Sequence, residues 1–322
     1  MLKKIIALCI VMVLLVLTVM GCSSTETAQS GSDSAIAENK KISIVTTLFP
    51  QYDFARQIAG DKADIIMLMP AGVESHSYEP TPEDIIRINS SDLFIYTGQY
   101  MEPWAQRIID GISNKAVVVL DASTNIALEK AEEHEHDADH EEHDHDHQFD
   151  PHVWTDPNNA KIMVDNIAVS LCEIDPANAE YYMKSAIDYK AKLDDLDKEF
   201  KEIVENGSRK EIIFGGRFAF YYFAKQYGLE YEAAYDSCST ETEPSIKVVA
   251  GLIDEIRKEK FPVIYYEELT TPKVAQSISD ETGAKMLLLH SCHNVSKDEF
   301  NNGVTYLSLM KQNAENLKEG LK

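Results

Sequence analysis

Six histidines stand at His134, His136, His140, His143, His145 and His147, and the residues between them are almost all Asp and Glu. Imidazole is the commonest side-chain ligand for zinc, and carboxylates can complete its shell, so the chemistry announced is the binding of a divalent cation. The stretch from Glu129 to Asp150 sets eleven acids against one lysine. It reads as an exposed collector of weak, exchanging sites. A further histidine, His152, follows at once in Asp150-Pro151-His152-Val153-Trp154, a setting that reads as ordered structure.

The elements that must position an ordered site alternate along the chain. Strands are expected at 42–47, 65–69, 93–96 and 116–120, with helices at 49–59, from Pro82 to about Asn89, and at 102–110. Thr81-Pro82-Glu83-Asp84 supplies an N-cap, a proline at the first helical position and an acid at the third. A helix opens at Asp156-Pro157 and a much longer one at Asp175-Pro176, closing at Gly207. Its apolar positions Tyr182, Ala186, Tyr189, Leu193, Leu196, Phe200 and Ile203 form one stripe in steps of four and three. About thirty residues span roughly 45 Å, the length of a strut between two bodies. The alternation then resumes, with strands at 211–214, 229–235, 262–266 and 285–290 and a last helix at about 306–321. Short, nearly all-apolar strands alternating with helices indicate parallel sheets covered on both faces. The expected fold is therefore α/β: two lobes, each with a mostly parallel four-stranded sheet flanked by helices, joined by one long rigid helix. In such sheets functional residues collect beyond the carboxyl ends of the strands. His76 lies in the loop after the second strand, His152 follows the fourth, and His290 ends the last strand, before Ser291-Cys292-His293. A cleft between the lobes would bring His76, His152 and His290 together as metal ligands.

The chain's beginning carries a different signal. Lys3 and Lys4 precede apolar sequence from Ile5 to Met20, and Gly21-Cys22 follows. This is the pattern of a bacterial lipoprotein signal, too short for an ordinary membrane span, with Cys22 as the lipid-bearing residue after cleavage. The expected organisation is a signal peptide at 1–22, a flexible tether at 23–39, an N-terminal lobe at 40–174 holding the His-rich acidic loop at 129–149, a linking helix at 175–207 and a C-terminal lobe at 208–322. The formal charge of −24 argues against nucleic acid as a partner. Cys172 sits on a helical apolar face and is expected to be a buried thiol. Cys238 and Cys292 each stand where a strand runs out into a loop, and are the pair expected to form a disulfide outside the cytoplasm.

The chain from Lys41 to Lys322 resembles the zinc- and manganese-binding lipoproteins that feed metal to ABC importers, the cluster A-I solute-binding proteins. The resemblance rests on His76-Ser77-Tyr78-Glu79-Pro80, Asp150-Pro151-His152-Val153-Trp154-Thr155-Asp156-Pro157, Tyr222-Phe223-Ala224 with Tyr227-Gly228-Leu229, Glu243-Pro244-Ser245, and Thr282-Gly283-Ala284-Lys285. It implies a metal site in the cleft between two lobes on a long helix, and a zinc-type member, because zinc-specific members carry a His-rich acidic loop at this place. It puts the first two ligands on His76 and His152 and the fourth on His290. The third falls on Arg217, whose guanidinium cannot ligate. Glu241, Glu243, His147 or water are candidates to fill that gap; a thiolate of Cys238 or Cys292 would do so only if the disulfide were absent.

These readings combine into an extracytoplasmic, lipid-anchored, monomeric solute-binding protein that captures Zn2+ as cargo and passes it to an ABC permease and its ATPase, without chemistry of its own. Ligand imidazoles must be neutral, so affinity should fall as pH drops below about 6.5. Three alternatives use the same residues: delivery of manganese or iron, an adhesin or metal-buffering surface protein without a permease, and a zinc hydrolase with three histidines and a water. No H-E-x-x-H is present for the last.

Overall fold

The computed structural model of the chain describes residues 41–74, 78–130, 149–235 and 244–322. The expected signal peptide with Cys22, the tether, His76, the six histidines from His134 to His147, Cys238, Glu241 and Glu243 lie outside the described residues.

Eight strands form two four-stranded sheets among the described residues. The first holds β1 (Ile42–Thr46), β2 (Ala63–Met67), β3 (Leu93–Tyr96) and β4 (Val118–Asp121) in the order β2-β1-β3-β4. The second holds β5 (Glu211–Arg217), β6 (Glu230–Tyr235), β7 (Val263–Tyr266) and β8 (Lys285–Leu288) in the order β6-β5-β7-β8. Every strand pair is parallel. The apolar runs explain this: a strand such as Leu93-Phe94-Ile95-Tyr96 can be buried on both faces only where helices cover both. The covering helices of the first half are α1 (Phe49–Ala59), α2 (Pro82–Ser90), α3 (Ala105–Gly111) and α4 (Pro157–Ile174). Thr81 caps α2 as its sequence predicts, accepting the Asp84 amide while the Asp84 carboxylate takes the Thr81 amide.

The strut is α5 (Ala179–Asn206), entered through a 3-10 turn at Pro176–Asn178. Its 28 residues span about 42 Å. The buried stripe is the predicted one as far as Phe200 and then takes Val204 in preference to Ile203. The second half adds α6 (Tyr221–Tyr227), α7 (Ile246–Glu259), α8 (Lys273–Thr282), α9 (Lys297–Asn301) and α10 (Tyr306–Gly320). Helices α1, α4 and α10 all pack on α5, so one apolar core runs from the first sheet through the strut into the second. A buried carboxylate ties the same elements. Asp53 on α1 accepts from Arg56 Nε at 2.7 Å, the Tyr306 amide at 2.7 Å and the Tyr189 hydroxyl at 3.4 Å.

Two departures from the sequence reading bear on the site. Strand β8 stops at Leu288, so His290 lies beyond it rather than at its last position. Strand β5 runs past Phe214 to Arg217 through an irregular step in its pairing with β6. That step occurs at Gly215-Gly216. A Cβ on Gly216 would come within 1.7 Å of Glu267 Oε2, so only glycine admits the carboxylate there.

Candidate metal centre

His152 is fully buried, at the head of a 3-10 turn covering Val153–Thr155. Asp150 Oδ1 accepts both the His152 amide and His152 Nδ1, each at 2.9 Å. A carboxylate can only accept, so Nδ1 carries the proton and the buried Nε2 carries the lone pair. Asp150 is held in turn by its backbone, whose carbonyl accepts the Tyr222 hydroxyl at 2.9 Å. Carboxylate–histidine pairing of this kind is how metal-ligating imidazoles are oriented.

The ring beside His152 is His293. Their centroids lie 4.6 Å apart at 83°, and Trp154 packs edge-on against His293 at 5.0 Å. The Trp154 indole N–H donates to the Ser291 carbonyl at 2.7 Å, which fastens the Asp-Pro-His-Val-Trp turn to the loop after β8. Tautomer control repeats at His293 with one more link. The Ser291 hydroxyl donates to Glu268 Oε1 at 2.5 Å, so its oxygen is left to accept from His293 Nδ1, also at 2.5 Å. The proton is again on Nδ1 and the lone pair on the buried Nε2.

His290 is wired differently. Its Nδ1 accepts the Cys292 amide at 3.0 Å, so a neutral ring carries its proton on Nε2, the reverse of the tautomer that a ligand through Nε2 requires. That Nε2 is buried without a hydrogen-bond partner among the described residues. Asn313 clamps the His290 backbone through its amide (2.7 Å) and carbonyl (2.8 Å). The chain then turns at Cys292, a non-glycine residue at φ 64°, and this turn brings His293 to His152. His290 and His293 are three apart beyond a strand end, and the turn between them sets the second beside His152. The buried Trp154, whose N–H needs an acceptor, was an unread clue.

Cys292 is wholly buried and is a free thiol; Cys238, its expected disulfide partner, lies outside the described residues. Burial, first, and the Glu268, Asp53 and Glu299 charges push the thiol well up. Cys172 is free and half-buried, its thiol meeting the Ala179 carbonyl at 3.5 Å.

A small cleft opens beside His293, lined from the first half by Glu74 and from the second by Arg217, Glu267, Glu268, Thr270 and Ser291 among others. Arg217 thus does reach the cleft, at the end of the β5 bulge. Burial, first, and the Glu268 charge raise the Glu267 carboxyl above the usual carboxylate range, while backbone amides and the Arg217 charge oppose them. Three carboxylates against one guanidinium make this wall attractive to a cation. No group of three or more His, Cys, Asp or Glu side chains is preassembled for a metal among the described residues, which leave out His76.

Residues 44–320 match the family described as zinc-uptake complex component A, periplasmic. The chain is 40% identical over 306 residues to the high-affinity zinc uptake system protein ZnuA of Bacillus subtilis (strain 168), covering 95% of this chain and 94% of that protein. It is 34% identical over 280 residues to the zinc-binding lipoprotein AdcA of Streptococcus pneumoniae (strain ATCC BAA-255 / R6), covering 87% of this chain but 56% of that longer protein. The crystal structure of the Zn(II)-bound ZnuA-like domain of S. pneumoniae AdcA superposes with a TM-score of 0.73 at 32% identity, covering 87% of this chain and 99% of that one.

Proposed function

We propose a function from this premise: the chain belongs to the family of periplasmic zinc-uptake component A proteins. It captures Zn2+ outside the cytoplasm and hands it to an ABC-type permease, with its ATPase, as cargo rather than as a catalytic cofactor. The observation that carries this reading is the pair His152–His293. Both rings have their Nδ1 protons tied off, by Asp150 and by the Ser291–Glu268 relay, so both present Nε2 lone pairs. Neutral imidazole suits zinc, whereas manganese prefers oxygen. His76, two residues after Glu74 in the chain, is the third ligand in this reading. Water, or one of Glu241 and Glu243, completes a tetrahedral shell. Arg217 takes no part in ligation and balances the carboxylates around it. The His-rich run collects zinc near the mouth, and Cys22 anchors the monomer to the membrane by lipid. No step of bond making or breaking in a substrate is involved.

Zinc titration of three variants tests the assignment. His76→Ala and His293→Ala are expected to lose tight binding, by a hundredfold or more on the order set by removing a zinc ligand or its orienting partner. His290→Ala should retain one tight zinc per chain. Loss of binding in His290→Ala with retention in His293→Ala would return the ligand to the strand end. Tighter binding of Mn2+ than of Zn2+ in competition would sink the zinc assignment.

A further inference from the structure

The segment between β3 and α3 buries a carboxylate that the cargo site does not touch. Glu102 is 2% exposed. Its hydrogen-bond partners are all neutral: the Thr47 hydroxyl and, at 3.5 Å, the Gln51 amide nitrogen meet Oε1, and the Thr97 amide meets Oε2 at 3.0 Å. Gln51 turns its carbonyl to the Leu48 amide at 2.6 Å, half of a capping box at the first turn of α1. The next amide, Phe49 N–H, donates to the His293 carbonyl at 3.1 Å. A continuous path therefore runs from Glu102 through the start of α1 to the backbone of the loop that carries His293.

A buried acid is costly, yet every partner here donates, at one oxygen or the other, and an amide would turn its NH2 against a donor, so the cage is built for a carboxylate and not for a neutral isostere. Burial, the largest influence, pushes Glu102 up to about 8; bonds from Thr47, Thr97 and Gln51 hold it down and the Asp121 charge at the end of β4 adds to the rise. Tyr96, the other titratable neighbour, is itself raised by burial and by the Asp121 and Glu102 charges. The cage has two wirings. Ionised Glu102 takes the Thr47 hydroxyl proton and leaves Gln51 Oε1 to the Leu48 amide. Protonated Glu102 must donate, which turns the Thr47 hydroxyl toward Gln51 Oε1, 3.3 Å away, in competition with Leu48.

We propose that Glu102 is a positioning residue for zinc: through Thr47 and Gln51 it holds the first turn of α1, and that turn holds the His293 loop against His152. The proposal rests on the reading of His293 as a ligand. Its consequence is a linkage. A divalent cation in the cleft favours the ionised cage, so capture draws a proton from Glu102, and affinity rises with pH through the range near 8, where imidazoles of ordinary pKa are already neutral.

The test is zinc affinity by competition with a chromogenic chelator, from about pH 6.5 to about pH 9, for wild type, Glu102→Gln, Thr47→Val and His293→Ala. Wild type and Glu102→Gln are expected to agree at the acid end, with wild type about tenfold tighter at the alkaline end, the equivalent of one unit of linked ionisation. Thr47→Val, which cuts the same path without touching a charge, should flatten the curve likewise and stands in if Glu102→Gln fails to fold. Variants that follow the wild-type curve throughout overturn the proposal. If His293→Ala keeps wild-type affinity, the ligand reading itself fails; if it loses tight binding while the other two track wild type, only the role of Glu102 falls.

Discussion

A histidine becomes a ligand or a structural residue according to where its proton sits. His152, His290 and His293 share one side chain and are all buried, yet their Nδ1 partners differ: a carboxylate, a backbone amide and a serine relay. Two of those partners accept a hydrogen bond and one donates it, and the proposed choice of ligands rests on that difference. The same logic sets the value of Asp150. Replacing it by asparagine keeps an oxygen at the place but removes the charge that makes the imidazole a better donor, so Asp150→Asn is expected to weaken zinc binding by about tenfold. Isothermal titration checks it; unchanged affinity would mean that orientation by the protein backbone suffices. Of the proposed site, the pairing of His152 was legible in the sequence because Asp-Pro-His-Val-Trp supplies its partner two residues away. The place of His293 beside His152 was not, because it depends on a left-handed turn at Cys292 and on Glu268, which comes from the loop after β7.

Helix α1 is the element on which the two halves meet. Its N-terminal turn receives the His293 carbonyl, its Asp53 takes the first amide of α10 and the Tyr189 hydroxyl of α5, and Arg56 reaches the Gly303 and Val304 carbonyls. These bonds are short in space and long in sequence, and Asp53 is completely buried. Asp53→Ala is expected to destabilise the fold by about 3 kcal/mol, since it strands a half-covered guanidinium and a buried amide. Urea denaturation reads this directly, and a loss under about 1 kcal/mol would assign the joint to apolar packing around α5 instead. The elements themselves were largely readable. Alternation, the Thr81 capping box and the stripe on α5 all come from local pattern. The irregular step in β5 did not show, because the glycines at it lie against Glu267 and Ala275, residues that follow β7 and are remote in the chain.

The whole molecule carries a formal charge of −24, and three of its carboxylates stand on the cleft wall. Such a surface speeds the encounter with a dication and gives way to salt. The collector's two ends are held together: Lys130 and Phe149 form an antiparallel bridge, and the Asp150 amide bonds the Glu129 carbonyl at 2.9 Å. Deleting Glu132 to Gln148 should therefore leave the lobe and one tight zinc per chain intact, while lowering the total zinc bound and slowing capture at low salt. Stopped-flow mixing with zinc and equilibrium dialysis measure the two. Loss of all binding on deletion would make the run the main site.

Composition and local pattern determined the metal, the parallel α/β alternation, the strut and the loops on which ligands had to stand, because each of these depends on residues near one another in the chain. The tertiary structure decided which histidine faces His152, why Cys292 is a buried thiol, and how Glu102 is tied to the site. Those are matters of proton placement and contact between segments remote in sequence, and only packing the two halves on α5 and α1 sets them.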